Sequence, residues 1–255
     1  MKSWLLYLLF GLSVLWLGGC GPDRSNPEQA PSSAPDTTTA TSSARAQAGS
    51  GSPVDADEAE SAALHVMVVG NSIAAGYGLA PEAAFPARLQ AKADSAGYDV
   101  HVTNAGLSGE TTAGGLRRLP WLLRTPVDVL VLELGGNDGL RGIDPATTQS
   151  NLAAMIDTTR ARYPDAEVLL AGMQVPPNLG EDYTARFRDV YPTLAARRDA
   201  VTLIPFVLEG VAGNPELNQP DGIHPTAEGQ RIVAQNVWEY LQPILEQRLQ
   251  TEPAT

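Results

Sequence analysis

Five short apolar runs, each separated from the next by a stretch with helical spacing, limit this chain to very few architectures. The runs are Leu64 to Val69, Val100 to Thr103, Val127 to Leu134, Glu167 to Ala171 and Val201 to Ile204. Continuous apolar segments of this length, rich in Val, Ile and Leu, read as strands buried on both faces. Between and after them lie helical patterns over about Phe85–Ala96, Thr112–Leu123, Pro145–Tyr163, Tyr183–Arg197 and Thr226–Gln250. Asp144-Pro145 and His224-Pro225-Thr226 mark two helix starts, with a polar residue before the helix or Pro in its first turn. Strands alternating with helices predict a parallel sheet of about five strands covered on both faces. Right-handed crossovers make it a doubly wound α/β domain, predicted over residues 63–250 with a tail at 251–255.

The chain before this domain is of another kind. Trp4 to Leu17 is an apolar run behind Lys2, short for a bilayer-spanning helix and followed by small residues, as in a signal peptide. Leu17-Gly18-Gly19-Cys20 resembles a bacterial lipobox, in which the Cys is lipidated and heads the mature chain. An ordinary secretory peptide is the alternative, but the sole Cys of the sequence stands where a lipobox requires it. From Gly21 to about Ala62 there is no Leu, Ile, Met, Phe, Trp or Tyr, so too little apolar surface is present to offset chain entropy. The expected organisation is a leader at 1–19, a lipidated Cys20 with a disordered tether at 20–62, and then the domain. A tether of this length has a mean reach of roughly 35 Å. The expected location is the cell envelope, periplasmic or outer face, with Gly21 favouring the outer membrane in a Gram-negative cell.

Charge and cysteine usage remove several classes of function. With 17 Lys plus Arg against 29 Asp plus Glu, the net charge is −12 and no basic cluster interrupts it. Binding through nucleic-acid phosphates and a polybasic membrane patch are therefore not expected. One Cys and three scattered histidines, His65, His101 and His224, have no zinc-ligand spacing, so no metal is expected. A monomer is the expected state.

In open parallel sheets, ligands bind outside the carboxyl ends of the strands. Polar clusters fall there: Gly70-Asn71-Ser72, Asn104-Ala105-Gly106, Gly135-Gly136-Asn137-Asp138 and, before the last helix, Asp221-Gly222-Ile223-His224. Ser72 is a candidate nucleophile at the start of a helix, and a serine hydroxyl needs an adjacent base. His224 suits that task, and Asp221, three residues earlier in a tight loop, can reach its Nδ1–H and fix the tautomer. Gly106 offers a backbone N–H, Asn137 a side-chain amide and Ser72 its own N–H to a developing oxyanion. Taken singly, such a Ser is more often a helix cap, an Asp-x-x-His is usually a loop hydrogen bond, and the Gly-Gly-Asn-Asp reads as a turn. Their arrival on one edge from four separate loops favours chemistry. His65 and His101 lie in predicted strands and are read as structural.

Gly70-Asn71-Ser72-Ile73-Ala74-Ala75-Gly76-Tyr77-Gly78, Asn104 to Thr112, Leu134 to Asp138 and Asp221 to Pro225 together resemble the four blocks of the SGNH, or GDSL-type, hydrolases. Gly172 to Asn178 and Glu209 to Asn214 further resemble that family's arylesterase, acyl-thioesterase and lysophospholipase branch. The resemblance implies a three-layer α/β/α sandwich, no cofactor, Ser72 as nucleophile, Gly106 and Asn137 as oxyanion donors, and Asp221 with His224 completing a triad. It implies hydrolysis of a small-molecule or lipid ester or thioester. Carbohydrate O-acetyl esters, or a catalytically inactive surface-binding lipoprotein, are the alternatives. One residue departs from the pattern: the family's Asp in the first block is Asn71 here. The loop from Gln174 to Asp182 is expected to border the acyl pocket, either as a closing segment or as a rigid connection stiffened by Pro176-Pro177. Leu107, Val175, Pro176 and Leu179 are expected to line it.

Overall fold

The computed structural model describes residues 63–251, and the expected leader and tether, with Cys20, lie outside them. Five parallel strands, β1 (Leu64–Gly70), β2 (Val100–Gly106), β3 (Val129–Glu133), β4 (Glu167–Ala171) and β5 (Val201–Ile204), form one sheet in the order β2-β1-β3-β4-β5. Eight α-helices accompany them among the described residues: α1 (Ser72–Ala75), α2 (Phe85–Ala96), α3 (Thr112–Leu122), α4 (Gly136–Leu140), α5 (Pro145–Arg162), α6 (Glu181–Arg188), α7 (Val190–Ala195) and α8 (Ala227–Thr251). α2 packs with α8, while α5 packs with both α3 and α7, so the sheet is doubly wound. It is a three-layer α/β/α fold.

The burial pattern follows the residue types. Every residue of β3, Val-Leu-Val-Leu-Glu, is buried, as a central strand with helices on both faces requires. β2 at the sheet edge is mostly half-exposed, and His65 and His101 pack edge to face near the strand starts, remote from the polar loops. Phe85, Leu89, Leu130, Leu132, Leu152, Met155 and Leu169 are sealed from solvent. Truncating such a leucine to Ala costs roughly 2–5 kcal/mol through lost burial and the cavity left behind.

Two differences from the sequence-based elements have local causes. The segment predicted as one helix over Tyr183–Arg197 is two, because the chain turns at Asp189 between α6 and α7. α1 and α4 are one turn each, too short to carry a hydrophobic period. Both start where a strand ends, and both place polar residues on the same edge. Strand order reverses between β1 and β3, which opens a crevice at their carboxyl ends. Ser72 follows β1 at that crevice, and Asn137 follows β3.

Candidate active site

The corner that carries Ser72 is built by packing as well as by hydrogen bonds. Gly70 ends β1 between Glu133 and Ala74; a Cβ there would stand 2.5 Å from Glu133 Oε2 and 2.6 Å from Ala74 Cβ. Asn71 caps α1, its Oδ1 accepting the Ile73 N–H at 2.9 Å. Gly76, with φ of 68°, ends the helix after one turn. Ser72 thus stands at the first position of α1, where its own N–H has no intrahelical partner.

His224 reaches Ser72 from the other side of the crevice. Ser72 Oγ and His224 Nε2 are 2.9 Å apart, and His224 Nδ1 lies 2.7 Å from Asp221 Oδ2. Asp221 also folds its own loop, since Oδ1 accepts the N–H groups of Ile223 at 2.9 Å and His224 at 3.0 Å. The His224 N–H, the His224 ring and the Ile223 N–H hold the Asp221 carboxyl down at about 2, so it is ionised at neutral pH. An ionised acceptor at Nδ1 requires the proton on that nitrogen, which leaves Nε2 free to accept from Ser72. The Tyr77 ring lies on the His224 ring, with centroids 4.5 Å apart, and Gln219 ties the two loops by donating to the Tyr77 carbonyl and the His224 carbonyl. Nothing in the sequence pattern distinguished Tyr77 or Gln219 for this service.

Asn137 faces the same crevice from α4. One of its amide N–H groups donates to the Glu110 carbonyl at 3.0 Å, which orients the side chain and leaves the second N–H for another acceptor. Its neighbour Asp138 is fully buried and accepts from the Thr112 N–H and hydroxyl and the Thr148 hydroxyl, fastening α4 to α3 and α5.

Gly106 is placed differently from the expectation. Its N–H donates to Asn104 Oδ1 at 2.9 Å, and a Cβ at this position would collide with the Ala75 backbone N and Ala74. The missing side chain therefore serves close packing of β2 on α1, and the N–H is already engaged. The next glycine along, Gly109, lies in the turn closed by the Glu110 N–H and the Leu107 carbonyl and has φ of 78°. Its N–H donates to no group among the described residues. Arg141 holds the Gly109 carbonyl, Asn137 holds the next carbonyl along, and Arg118 anchors the loop through Glu110 and the Ala105 carbonyl.

A cavity of about 660 Å³ opens over Ser72, Asn137 and His224. Its apolar walls include Leu140, Val175, Pro176, Pro177, Phe206, Leu208 and Ile223. Val175 and Pro176 are thus where they were expected. Leu107 and Leu179 are not among the residues that line it, and stand 52% and 37% exposed. Among the described residues no three His, Asp or Glu side chains gather as a metal-ligand set.

One fully buried acid at this site, Glu133, does not stand out in the sequence. Glu133, the last residue of β3, has no exposed surface and meets Asn71 and Ala74 beneath the Ser72 corner. Burial pushes its carboxyl up to about 8, against the opposing pull of N–H donors from Asn71 and Ala74.

The profile of the GDSL-like Lipase/Acylhydrolase family matches residues 68–232, which carry every polar group of the crevice. The chain belongs to that family. It is 48% identical over 187 residues to "Esterase TesA" of Pseudomonas aeruginosa, covering 73% of this chain and 92% of that protein. It is 41% identical over 187 residues to "Thioesterase 1/protease 1/lysophospholipase L1" of Escherichia coli K12, covering 72% and 86%. The crystal structure of TesA superposes with a TM-score of 0.67 at 47% identity, covering 71% of this chain and 99% of that one. The protein is an ester-hydrolysing enzyme of the GDSL-like family.

Proposed function

We propose that this enzyme hydrolyses carboxylic esters and thioesters with apolar acyl chains through an acyl-enzyme on Ser72. The observation that carries the reading is the unbroken chain from Asp221 through His224 to Ser72, at 2.7 and 2.9 Å, beneath an apolar cavity. His224 Nε2 takes the hydroxyl proton as Ser72 Oγ bonds to the substrate carbonyl carbon. The oxyanion is held by the Ser72 N–H, the free Asn137 amide N–H and the N–H of Gly109, which replaces Gly106 in this role. His224 then returns the proton to the departing alcohol or thiol as the C–O or C–S bond breaks. A water molecule, deprotonated in turn by His224, releases the acid and restores Ser72.

The relatives' names, esterase and thioesterase/lysophospholipase, support ester and thioester substrates for this chain as well. The walls formed by Leu140, Val175, Pro177, Phe206 and Leu208 suit an acyl chain rather than a polar sugar. In this reading the leader directs export, Cys20 carries lipid, and residues 20–62 tether the domain, as a monomer, to an envelope membrane. Hydrolysis of p-nitrophenyl esters from acetate to palmitate tests the reading. Rising kcat/KM with chain length over the shorter esters, lost in Ser72→Ala, is the expected result. Activity confined to acetyl esters of carbohydrates would overturn it.

A further inference from the structure

The reaction steps use neither Asn71 nor Glu133, yet these two residues decide how the nucleophile corner is held. Glu133 lies beside Gly70 across the β1–β3 pairing and is fully buried. Its Oε2 accepts the N–H groups of Asn71 at 3.1 Å and Ala74 at 3.3 Å, and its Oε1 accepts the Asn71 side-chain amide at 2.9 Å. This fixes the sense of the Asn71 amide, because Oδ1 must accept the Ile73 N–H at 2.9 Å; the same atom lies 3.4 Å from Ser72 Oγ. Each contact asks Glu133 for an acceptor. A proton on the carboxyl turns one acceptor into a donor and sets it against an N–H group. The corner is too crowded to relax, as the 2.5 Å approach of a Gly70 Cβ to Oε2 indicates.

We propose that Glu133, as the carboxylate, is a positioning residue for the nucleophile: through Asn71 and the first turn of α1 it sets Ser72 against His224. The assignment rests on Ser72 being the nucleophile. Residue 71 then determines which ionisation state is competent. With Asn71 the side chain brings its own donor, so the competent Glu133 is ionised. With Asp, the residue of the family pattern, two carboxyl oxygens would meet at the same distance and hold together only through a shared proton. Burial brings the Glu133 ionisation to about 8, within the range where activity is measured. Of the other titratable groups around it, Tyr191 on α7 is raised well above its ordinary value and stays neutral. Asp138 on α4 is engaged by Thr112 and Thr148, and His224 with Asp221 lies beyond Ser72.

The test is kcat and KM for p-nitrophenyl butyrate from pH 5 to 10, on the full chain and on Glu133→Gln, Asn71→Asp and the double variant. The Gln carboxamide has the shape of the protonated acid and opposes a donor to a donor, so Glu133→Gln lowers kcat about tenfold with KM little changed. In the double variant the roles exchange. The new carboxylate at 71 accepts from the Ile73 N–H and the new amide at 133, whose oxygen accepts from residues 71 and 74. The double variant therefore recovers kcat to within about threefold of the parent. The parent gains kcat through an ionisation near 8. Asn71→Asp loses kcat on that limb, and the double variant lacks the limb altogether. A double variant no more active than Glu133→Gln, or an alkaline limb unchanged by Asn71→Asp, would overturn the proposal. Should Glu133→Gln not fold, the Asn71→Asp profile alone decides. Failure of the underlying esterase reading is distinguishable, because the parent itself would then show no Ser72-dependent turnover.

Discussion

Replacing Asp221 with Asn exchanges one oxygen for an NH₂ group at nearly constant shape, and the structure specifies where that group must go. Oδ1 accepts two backbone N–H groups, from Ile223 and His224, and an amide nitrogen cannot occupy that site without opposing both donors. The amide oxygen therefore stays at Oδ1 and the new NH₂ faces His224 Nδ1 across the 2.7 Å contact. A donor there requires Nδ1 to be unprotonated, which moves the ring proton to Nε2 and points it at Ser72. The base is then occupied by its own proton. A tautomer inverted in this way costs about 10⁴-fold in kcat in a serine protease triad, and a loss of that order is expected here. Asp221→Ala, which imposes no tautomer, should lose less. The sequence contains only three histidines, so selective ¹⁵N-histidine labelling gives six ring-nitrogen signals and the His224 pair can be assigned by its loss in His224→Gln. The expected result is protonated Nδ1 in the parent and protonated Nε2 in Asp221→Asn. An Asn variant that retains Nδ1–H, or keeps kcat within tenfold of the parent, would show that Asp221 does not set the His224 tautomer.

Other consequences are open to measurement. Asn137→Ala removes one oxyanion donor and should lower kcat by about 10²–10³-fold with a small change in KM and an unchanged melting curve; steady-state kinetics with a butyrate ester checks it. Glu133 rises from 4.5 to about 8 on folding, so the folded protein keeps a proton that the unfolded chain has released between those values. Its contribution to stability is complete below about 4.5 and is lost as pH rises to about 8. The difference is on the order of 5 kcal/mol, and urea midpoints at pH 5, 7 and 9 should fall more steeply for the parent than for Glu133→Gln. Asp221 has the opposite sign: its folded value of about 2 lies below the usual 3.8, so its stabilisation is present above 3.8 and disappears as pH falls through 2. Asp221→Ala should accordingly lessen acid sensitivity at the bottom of the pH range, followed by circular dichroism.

What the sequence made legible was whatever depends on local order. The apolar runs announce strands because those of β1, β3 and β4 are buried almost along their length, and β1, β4 and β5 begin and end within a residue of those runs. The Asp221 to His224 spacing implies a tight loop, and that loop brings the two side chains together. Glu133 is not legible because it stands as a lone acid inside the apolar run Val127 to Leu134; only β1 and α1 packed over it reveal that it is enclosed and hydrogen-bonded. Gly106 and Gly109 show why a glycine's purpose is hard to read: one lacks a side chain because α1 presses on it, the other because its turn needs positive φ. Leu107 and Leu179 carry the right chemistry for an acyl pocket, but the direction of a loop side chain is set by tertiary contacts absent from sequence spacing.

Turnover through an acyl-enzyme requires that Ser72 itself be acylated. Treating the protein with an alkyl fluorophosphonate and locating the adduct by peptide mass spectrometry tests it directly, since the reagent traps an activated serine without assuming a substrate. The expected result is one adduct, on the peptide bearing Ser72, formed at a rate that collapses in His224→Gln and absent in Ser72→Ala. An unreacted protein that is folded, or an adduct on a different serine, would contradict it.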